Sequence, residues 1–256
     1  GGMILSAHQP AYLPWPGYLA RIAAADIFVL LDTVQFERGS FTNRNRIKTQ
    51  HGEHWLTVPL HLKGHTEKPI YEIKIDNTKK WRETHWKTIW HSYQKAPCAG
   101  ERLERLHTLF EGKETWFSPL CQRQLQFWCD EFEIKTLKFC APIWKNKSGD
   151  GNDLLIRICK EFGADAYLSG PLGKNYINVE AFAKEGITVQ FQEWKCPSYP
   201  QPLWGKFIPN LSMVDLWLNS DLHPFLSLQR TPTMKPWAVV EPSPGISPKA
   251  MPFISS

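Results

Sequence analysis

His8 and Asp32 are the residues whose types and positions best suit proton transfer. His8 follows a short apolar run that begins at Met3, and Asp32 follows a second apolar run that begins at Ile27. An imidazole changes charge near neutral pH, and a carboxylate beside it fixes its tautomer and raises its basicity. We therefore predict that His8 is a general base oriented by Asp32, and that both are catalytic.

A β-loop-α-β unit must position these two residues. Both apolar runs have strand length, and residues 18–25 have helical composition without Pro or Gly. The carboxyl ends of parallel strands face the ligand crevice of such a sheet, and the helix N-terminus near Gly17 offers N–H groups to an anion. Three prolines stiffen the intervening loop. Its polar and aromatic residues are therefore predicted to bind substrate, namely Gln9, Tyr12, Trp15 and Tyr18.

A second unit of the same kind is predicted over residues 166–192. A strand at 166–169 leads to a glycine-rich loop at 170–176, a helix capped by Asn178 and a further strand at 187–192. The loop is not a Walker motif, but its glycines let backbone N–H groups approach an anion and Lys174 adds a charge. The alternative is a turn with a surface lysine. The substrate-binding candidates here are Ser169, Gly170, Gly173, Lys174 and Tyr176, and we expect this loop to meet the His8 loop across one crevice.

A basic hairpin is predicted within residues 36–75. Asn and Arg alternate from Asn43 to Arg46, and a return strand begins at Trp55, with a third strand over 70–75. An extended segment places Arg44 and Lys48 on one face. We predict that Asn43, Arg44 and Lys48 clamp a phosphate or carboxylate, although a solvated basic face is the alternative.

His85 lies on an aromatic stripe of a helix predicted over residues 79–93. Trp81, Ile89 and Tyr93 recur on the same face. A histidine on such a stripe is more often a core residue than a catalyst. We keep His85 as a substrate-binding candidate because its aromatic neighbours could line a pocket.

These elements predict an α/β protein with a three-layer, Rossmann-like and mostly parallel sheet, interrupted by an antiparallel hairpin insertion. Residues 1–222 are expected to form the α/β domain, which includes the hairpin insertion at 36–75 and a helical part at 79–132. Pro and Ser dominate residues 223–256, which are predicted to form an irregular tail.

Composition limits the classes of function. The net charge of +5 favours an anionic small molecule without requiring nucleic acid, and 12 Trp with 14 Phe suit stacking on a base or sugar ring. The six cysteines are scattered, so we predict no metal site and no disulfide framework. No apolar run is long enough to span a bilayer, so we expect a soluble, cytoplasmic protein. The sequence leaves its oligomeric state open.

Six motifs resemble those of the WbqC-like protein family, in the family's order. They are His8-Gln-Pro-Ala-Tyr-Leu-Pro-Trp-Pro-Gly-Tyr18, Val29-Leu-Leu-Asp-Thr-Val-Gln-Phe36, Asn43-Arg-Asn-Arg-Ile-Lys-Thr49, Trp55-Leu-Thr-Val-Pro59, Tyr167-Leu-Ser-Gly-Pro-Leu-Gly-Lys174 and Phe207-Ile-Pro-Asn-Leu-Ser-Met-Val-Asp-Leu-Trp-Leu-Asn219. The resemblance implies a bacterial surface-polysaccharide setting. It also implies transfer of a glycyl or other aminoacyl or acyl group to a nucleotide-linked amino sugar.

Two other functions are carried as alternatives. The opening layout is similar to that of pantothenate synthetases and other nucleotidyltransferases, but Trp15-Pro-Gly-Tyr18 stands where their His-x-Gly-His signature would lie. That resemblance implies an ATP-dependent ligase or nucleotidyltransferase, with ATP as its cofactor; no other cofactor is predicted. The third possibility is a non-catalytic protein that binds an anionic metabolite. Under the favoured hypothesis the substrate is a nucleotide sugar or an activated acyl or aminoacyl donor.

Overall fold

The computed structural model describes residues 2–146, 149–221 and 251–252. Its strands are β1 (Ile4–His8), β2 (Ile27–Leu30), β3 (Arg44–Thr49), β4 (Gly52–Thr57), β5 (Leu137–Cys140), β6 (Ala166–Ser169), β7 (Thr188–Phe191) and β8 (Met251–Pro252). Five of them form a parallel sheet in the spatial order β7, β6, β1, β2, β5. The predicted mostly parallel sheet is confirmed.

The strand order creates a switch point at β1. From β1 the chain proceeds to β2 and β5 on one side, and then returns to place β6 and β7 on the other side. Connections that leave β1 and β6 therefore diverge at their carboxyl ends, which is where ligands bind in open α/β sheets. The register pairs Ser6 with Leu168, so His8 and Gly170 lie level with each other across this gap.

Helices cover both faces of the sheet. They are α1 (Pro16–Ala23), α2 (Trp81–Tyr93), α3 (Gly100–His107), α4 (Phe117–Glu131), α5 (Gly151–Glu161), α6 (Val179–Lys184) and α7 (Met213–Asn219). One core joins the even-numbered β2 residues Phe28 and Leu30 to α1, α4 and α7. A second core joins the odd-numbered residue Val29 to α5 and α6. Because strand side chains alternate, the two cores lie on opposite faces and form three layers, as predicted.

Local sequence signals explain where several helices begin. Pro16 occupies the first turn of α1, where a missing N–H is tolerated. The side chains of Asn178 and Ser212 accept hydrogen bonds from the first turns of α6 and α7. Asp150 and Asp153 form a reciprocal capping box at the start of α5.

The hairpin forms as a separate antiparallel sheet of β3 and β4. Thr49 pairs with Gly52, whose φ of 91° favours glycine at the turn. The predicted third strand over 70–75 is wrong. Residues 70–72 form a turn of 3₁₀ helix that follows Pro69, and Lys74 and Ile75 form isolated β-bridges to Trp116 and Leu60.

Only residues 251–252 of the predicted irregular tail are described. They form β8, antiparallel to β5, where the tail was expected to lack regular structure. An edge strand such as β5 presents unpaired backbone groups to which another segment can pair. The rest of that prediction lies outside the described residues.

No helix in the described ranges has both the length and the hydropathy needed to cross a membrane. All six cysteines are free thiols, and four of them are buried.

Candidate functional site

His8 lies at the carboxyl end of β1 and is a partly exposed residue. Nδ1 is 2.9 Å from the main-chain oxygen of Gln9. A carbonyl only accepts, so Nδ1 donates and Nε2 keeps its lone pair. Burial and then the positive charge of Arg21 lower the pKa of His8 to about 3. The imidazole is therefore neutral at physiological pH, and no residue in the described ranges hydrogen-bonds its acceptor nitrogen Nε2.

Asp32 does not form the predicted pair with His8. It is buried beyond the end of β2, and its Oδ2 accepts a hydrogen bond of 2.7 Å from Ser118 Oγ at the start of α4. Among the described residues, no hydrogen bond joins Asp32 to His8. Burial raises the pKa of Asp32 to about 6. The Gln9 carbonyl, rather than Asp32, therefore holds the tautomer of His8, and the basicity of His8 is lowered rather than raised.

The loop after β1 is tied to α1 and to the hairpin. The Gln9 carbonyl also accepts a 2.9 Å hydrogen bond from Tyr18 Oη, and Gln9 Oε1 lies 3.4 Å from Thr42 Oγ1. The rings of Trp15 and Tyr18 both meet His8 edge to face, with centroid distances of 5.6 and 5.0 Å. Gln9, Trp15 and Tyr18 thus lie around His8, and their role in substrate binding stays a prediction.

Tyr12 and His85 lie together in the core. Tyr12 is fully buried, and its hydroxyl is 2.7 Å from Nδ1 of His85. Nε2 of His85 is 3.1 Å from the Thr57 carbonyl, so Nε2 donates and Nδ1 accepts from Tyr12. Burial lowers the pKa of His85 to about 4. Both ring nitrogens are occupied within the protein, as expected of a core histidine.

The hairpin does not assemble the predicted clamp. The Arg44 guanidinium stacks 4.0 Å from the Trp55 ring and donates to the Gly39 carbonyl, whereas the Asn43 amide is buried and donates to Val58. Lys48 is only 1 % exposed, and the segment 201–206 covers it. Its ammonium donates to three oxygen atoms, namely Gln201 Oε1, Gly205 O and Lys206 O, at 3.2, 2.9 and 2.7 Å.

The loop after β6 begins beside His8, because Gly170 is level with it across the switch point. Residues 171–175 form a 3₁₀ turn, and the buried Ser169 hydroxyl donates to the Gly170 carbonyl. Gly173 is buried within the turn, while Lys174 and Tyr176 project into solvent. The strand ends that carry the two predicted loops therefore meet.

Arg21, Gln192 and Trp194 were missed by sequence reasoning. Gln192 Nε2 donates to the Gly17 carbonyl, and the Trp194 ring packs against the Gly17 Cα. The first turn of α1 is therefore buried, and the open helix N-terminus expected near Gly17 is not present. Arg21 is buried on the same helix, and its signal in the sequence is a lone charge within the apolar segment 19–25.

No group of three or more His, Cys, Asp or Glu residues in the described ranges could hold a metal ion. The side chains around the switch point are instead an imidazole, a guanidinium, amides and aromatic rings. Such a set suits an anionic organic molecule that carries a ring to stack.

Comparison with known proteins gives a family but no named activity. The family model described as the WbqC-like protein family matches residues 9–223. The chain is also 33 % identical over 213 residues to the uncharacterized protein Rv1507c of Mycobacterium tuberculosis, covering 82 % of this chain and 91 % of that protein. No solved structure shows significant similarity to this chain. The chain therefore belongs to the WbqC-like protein family.

Proposed function

We propose that this protein is a transferase. It moves an acyl or aminoacyl group, of the glycyl type, to the amine of a nucleotide-linked amino sugar in surface-polysaccharide or related biosynthesis. The observation that carries the proposal is a neutral, partly exposed His8 at the switch point of the sheet, whose Nε2 is hydrogen-bonded by no residue in the described ranges. Family membership supports the setting but names no reaction.

The chemistry follows from what an amine needs in order to attack a carbonyl carbon. As the N–C bond forms, the bond from the carbonyl carbon to the donor's leaving group breaks and the amine loses a proton. Nε2 of His8 accepts that proton, because Nδ1 is already committed to the Gln9 carbonyl. A positioned base contributes on the order of 10²-fold to 10⁴-fold to such a step. Asp32 remains a second catalytic candidate. Its hydrogen bond is to Ser118 of α4 and not to His8, so it would not act by orienting His8.

Substrate recognition is assigned to the aromatic surface beside His8. Trp15 contacts Phe41, and Phe41 contacts Trp55, at centroid distances of 5.8 and 5.5 Å. Phe41 and Trp55 are 40 % and 36 % exposed, and Arg44 stacks on Trp55. This continuous strip leads outward from the switch point and suits stacking of a base or sugar ring.

The second candidate is an ATP-dependent ligase or nucleotidyltransferase. The strand order favours it, because the same order with a central switch point occurs in nucleotide-binding doubly wound sheets. A catalytic role for ATP would also need groups to stabilise the transferred phosphoryl charge. Lys174 on the loop after β6 is exposed and Arg44 on the hairpin is partly exposed, whereas Lys48 is buried.

The test is a matrix of amino-sugar nucleotides against activated acyl thioesters, aminoacyl-tRNA, and free amino acids with ATP. Mass spectrometry measures amide formation, and nucleotide analysis measures AMP and ADP. An amide formed without ATP, and lost in His8→Ala, supports the transferase. Stoichiometric AMP or ADP moves the assignment to the ligase. Saturable binding of a nucleotide sugar with no product in any combination identifies a binding protein instead.

A further inference from the structure

Arg21 is a buried cation without a counter-ion in the part of the chain that the structure describes. It is 6 % exposed, and no carboxylate of the described residues lies within 4.0 Å of its guanidinium. Its one hydrogen bond is a long one, of 3.4 Å from Nη2 to the Ala7 carbonyl, and Nε has no partner. By contrast, Arg82 and Arg123 both pair with Glu114. A guanidinium stays charged in proteins, so Arg21 is an unsatisfied positive charge.

This charge lies between the carboxyl ends of β1 and β6. Nη2 is next to Ala7, the penultimate residue of β1, and Nη1 is next to Gly170, the first residue after β6. Burial and then the charge of Arg21 lower the pKa of His8, whereas burial raises the pKa of Tyr18 and Tyr167 and the charge of Arg21 opposes that rise. Arg21 is therefore at the centre of the switch point, and the partly exposed residue His8 lies beside it.

Gly170 leaves space for the guanidinium. Its φ of −66° is accessible to any residue, so the backbone conformation does not require glycine. A Cβ built at this position would instead collide with Arg21 Nη1.

We propose that Arg21 is the anion-binding residue of this site, and that it holds a phosphoryl group of the substrate between the ends of β1 and β6. The planar guanidinium can donate two parallel hydrogen bonds to two phosphoryl oxygens. A buried charge without a partner costs free energy, and a bound anion would offset that cost. A phosphoryl group is favoured over a carboxylate because Lys174, on the loop after β6, offers a second positive charge for a diphosphate. The identity of the molecule that carries the phosphoryl group rests on the proposed function.

The inference also explains how His8 becomes a useful base. A neutral imidazole beside an uncompensated guanidinium binds a proton weakly. A phosphoryl group on Arg21 offsets that positive charge, so His8 becomes more basic when substrate is bound. Proton acceptance is thereby coupled to occupancy of the anion site.

The experiment measures binding of inorganic pyrophosphate and uridine diphosphate to the full chain by calorimetry at constant ionic strength. Arg21→Gln should weaken both by about tenfold or more, and Arg21→Lys by less, because it keeps the charge but loses the two-pronged geometry. The control Lys95→Gln removes the same charge from an exposed position after α2 and should change affinity by less than about twofold. Unchanged pyrophosphate and uridine diphosphate binding in Arg21→Gln would overturn the inference. Saturable binding of acetate or glycine, but not of pyrophosphate, would reassign the site to a carboxylate and overturn it as well.

Two further variants separate binding from folding. Arg21→Met removes an uncompensated charge from the interior, so its Tm in phosphate-free buffer should rise while stabilisation by added pyrophosphate disappears. Gly170→Ala should keep the fold, because its Cβ meets only the end of a flexible side chain, and should still weaken pyrophosphate binding. A lower Tm in Arg21→Met, together with normal binding in Gly170→Ala, would assign Arg21 a structural role. Pyrophosphate binding without any transfer would refute the proposed function and leave this site intact.

Discussion

Ser118 Oγ lies 2.7 Å from Oδ2 of Asp32, and this hydrogen bond ties the end of β2 to the first turn of α4. Burial raises the pKa of the carboxyl group from 3.8 to about 6. A pKa that is higher in the folded than in the unfolded state favours folding at low pH, and this contribution is lost as pH rises from about 4 to about 6. At neutral pH, ionised Asp32 therefore lowers the stability of the protein.

We expect Asp32→Asn to be more stable than the wild type at pH 7.5, by up to about 3 kcal/mol. The amide oxygen still accepts from Ser118, while the cost of a buried charge disappears. At pH 4 the carboxyl is protonated in the folded state, so most of the advantage should vanish. Urea denaturation at the two pH values measures the difference. A variant that is less stable at pH 7.5 would contradict the raised pKa, and loss of transfer in a stabilised variant would support a catalytic Asp32.

His8 is expected to matter for turnover and not for folding. His8→Ala should leave the Tm nearly unchanged, since the residue is partly exposed, and should abolish transfer. His8→Gln keeps a donor for the Gln9 carbonyl, so it should bind the nucleotide sugar normally while kcat falls on the order of a hundredfold or more. Thermal melts, binding assays and steady-state kinetics separate the effects. Full turnover in either variant would remove His8 as the base.

The buried His85 gives the protein a predicted acid sensitivity. Its pKa is about 4 in the folded protein against an ordinary value of 6.5, so between these values the unfolded chain binds a proton that the folded chain does not. This group's contribution is fully present above pH 6.5 and is lost as pH falls, by about 1.4 kcal/mol for each pH unit. We expect the stability difference between the wild type and His85→Gln to shrink by about 2 kcal/mol from pH 7 to pH 5. A difference that stays constant would mean that His85 is not buried as a neutral ring.

Lys48 is predicted to be a structural cation. Lys48→Met leaves the Gly205 and Lys206 carbonyls without their donor and removes a charge that faces the buried Asp215, so we expect unfolding free energy to fall by about 2–4 kcal/mol. Binding by the folded fraction should be unchanged. Lys174→Gln is the matched comparison, because this exposed lysine should affect nucleotide-sugar affinity and not stability. If Lys48→Met were as stable as the wild type but bound the nucleotide sugar more weakly, Lys48 would be a binding residue rather than a structural one.

The architecture was predictable from local sequence signals. Apolar runs at residues 3–7 and 27–31 specified neighbouring parallel strands, and Asn178 marked the start of a helix. These predictions succeeded because hydrophobic period and capping chemistry act within a few residues of the chain. The 70–75 prediction failed because residues 70–72 form a turn of 3₁₀ helix, and a short apolar run does not distinguish a strand from a helical turn.

The sequence alone also determined which loops leave the carboxyl ends of the parallel strands, and that His8 ends the first strand there. Only the tertiary structure decided what each polar side chain meets. Lys48 is covered by a segment that lies 153 to 158 residues further along the chain. Asp32 accepts a hydrogen bond from Ser118, and the missing side chain of Gly170 leaves space for Arg21. The physical reason is that pKa, hydrogen bonding and the cost of a charge depend on burial and on partners brought in from distant segments, and no local spacing encodes either.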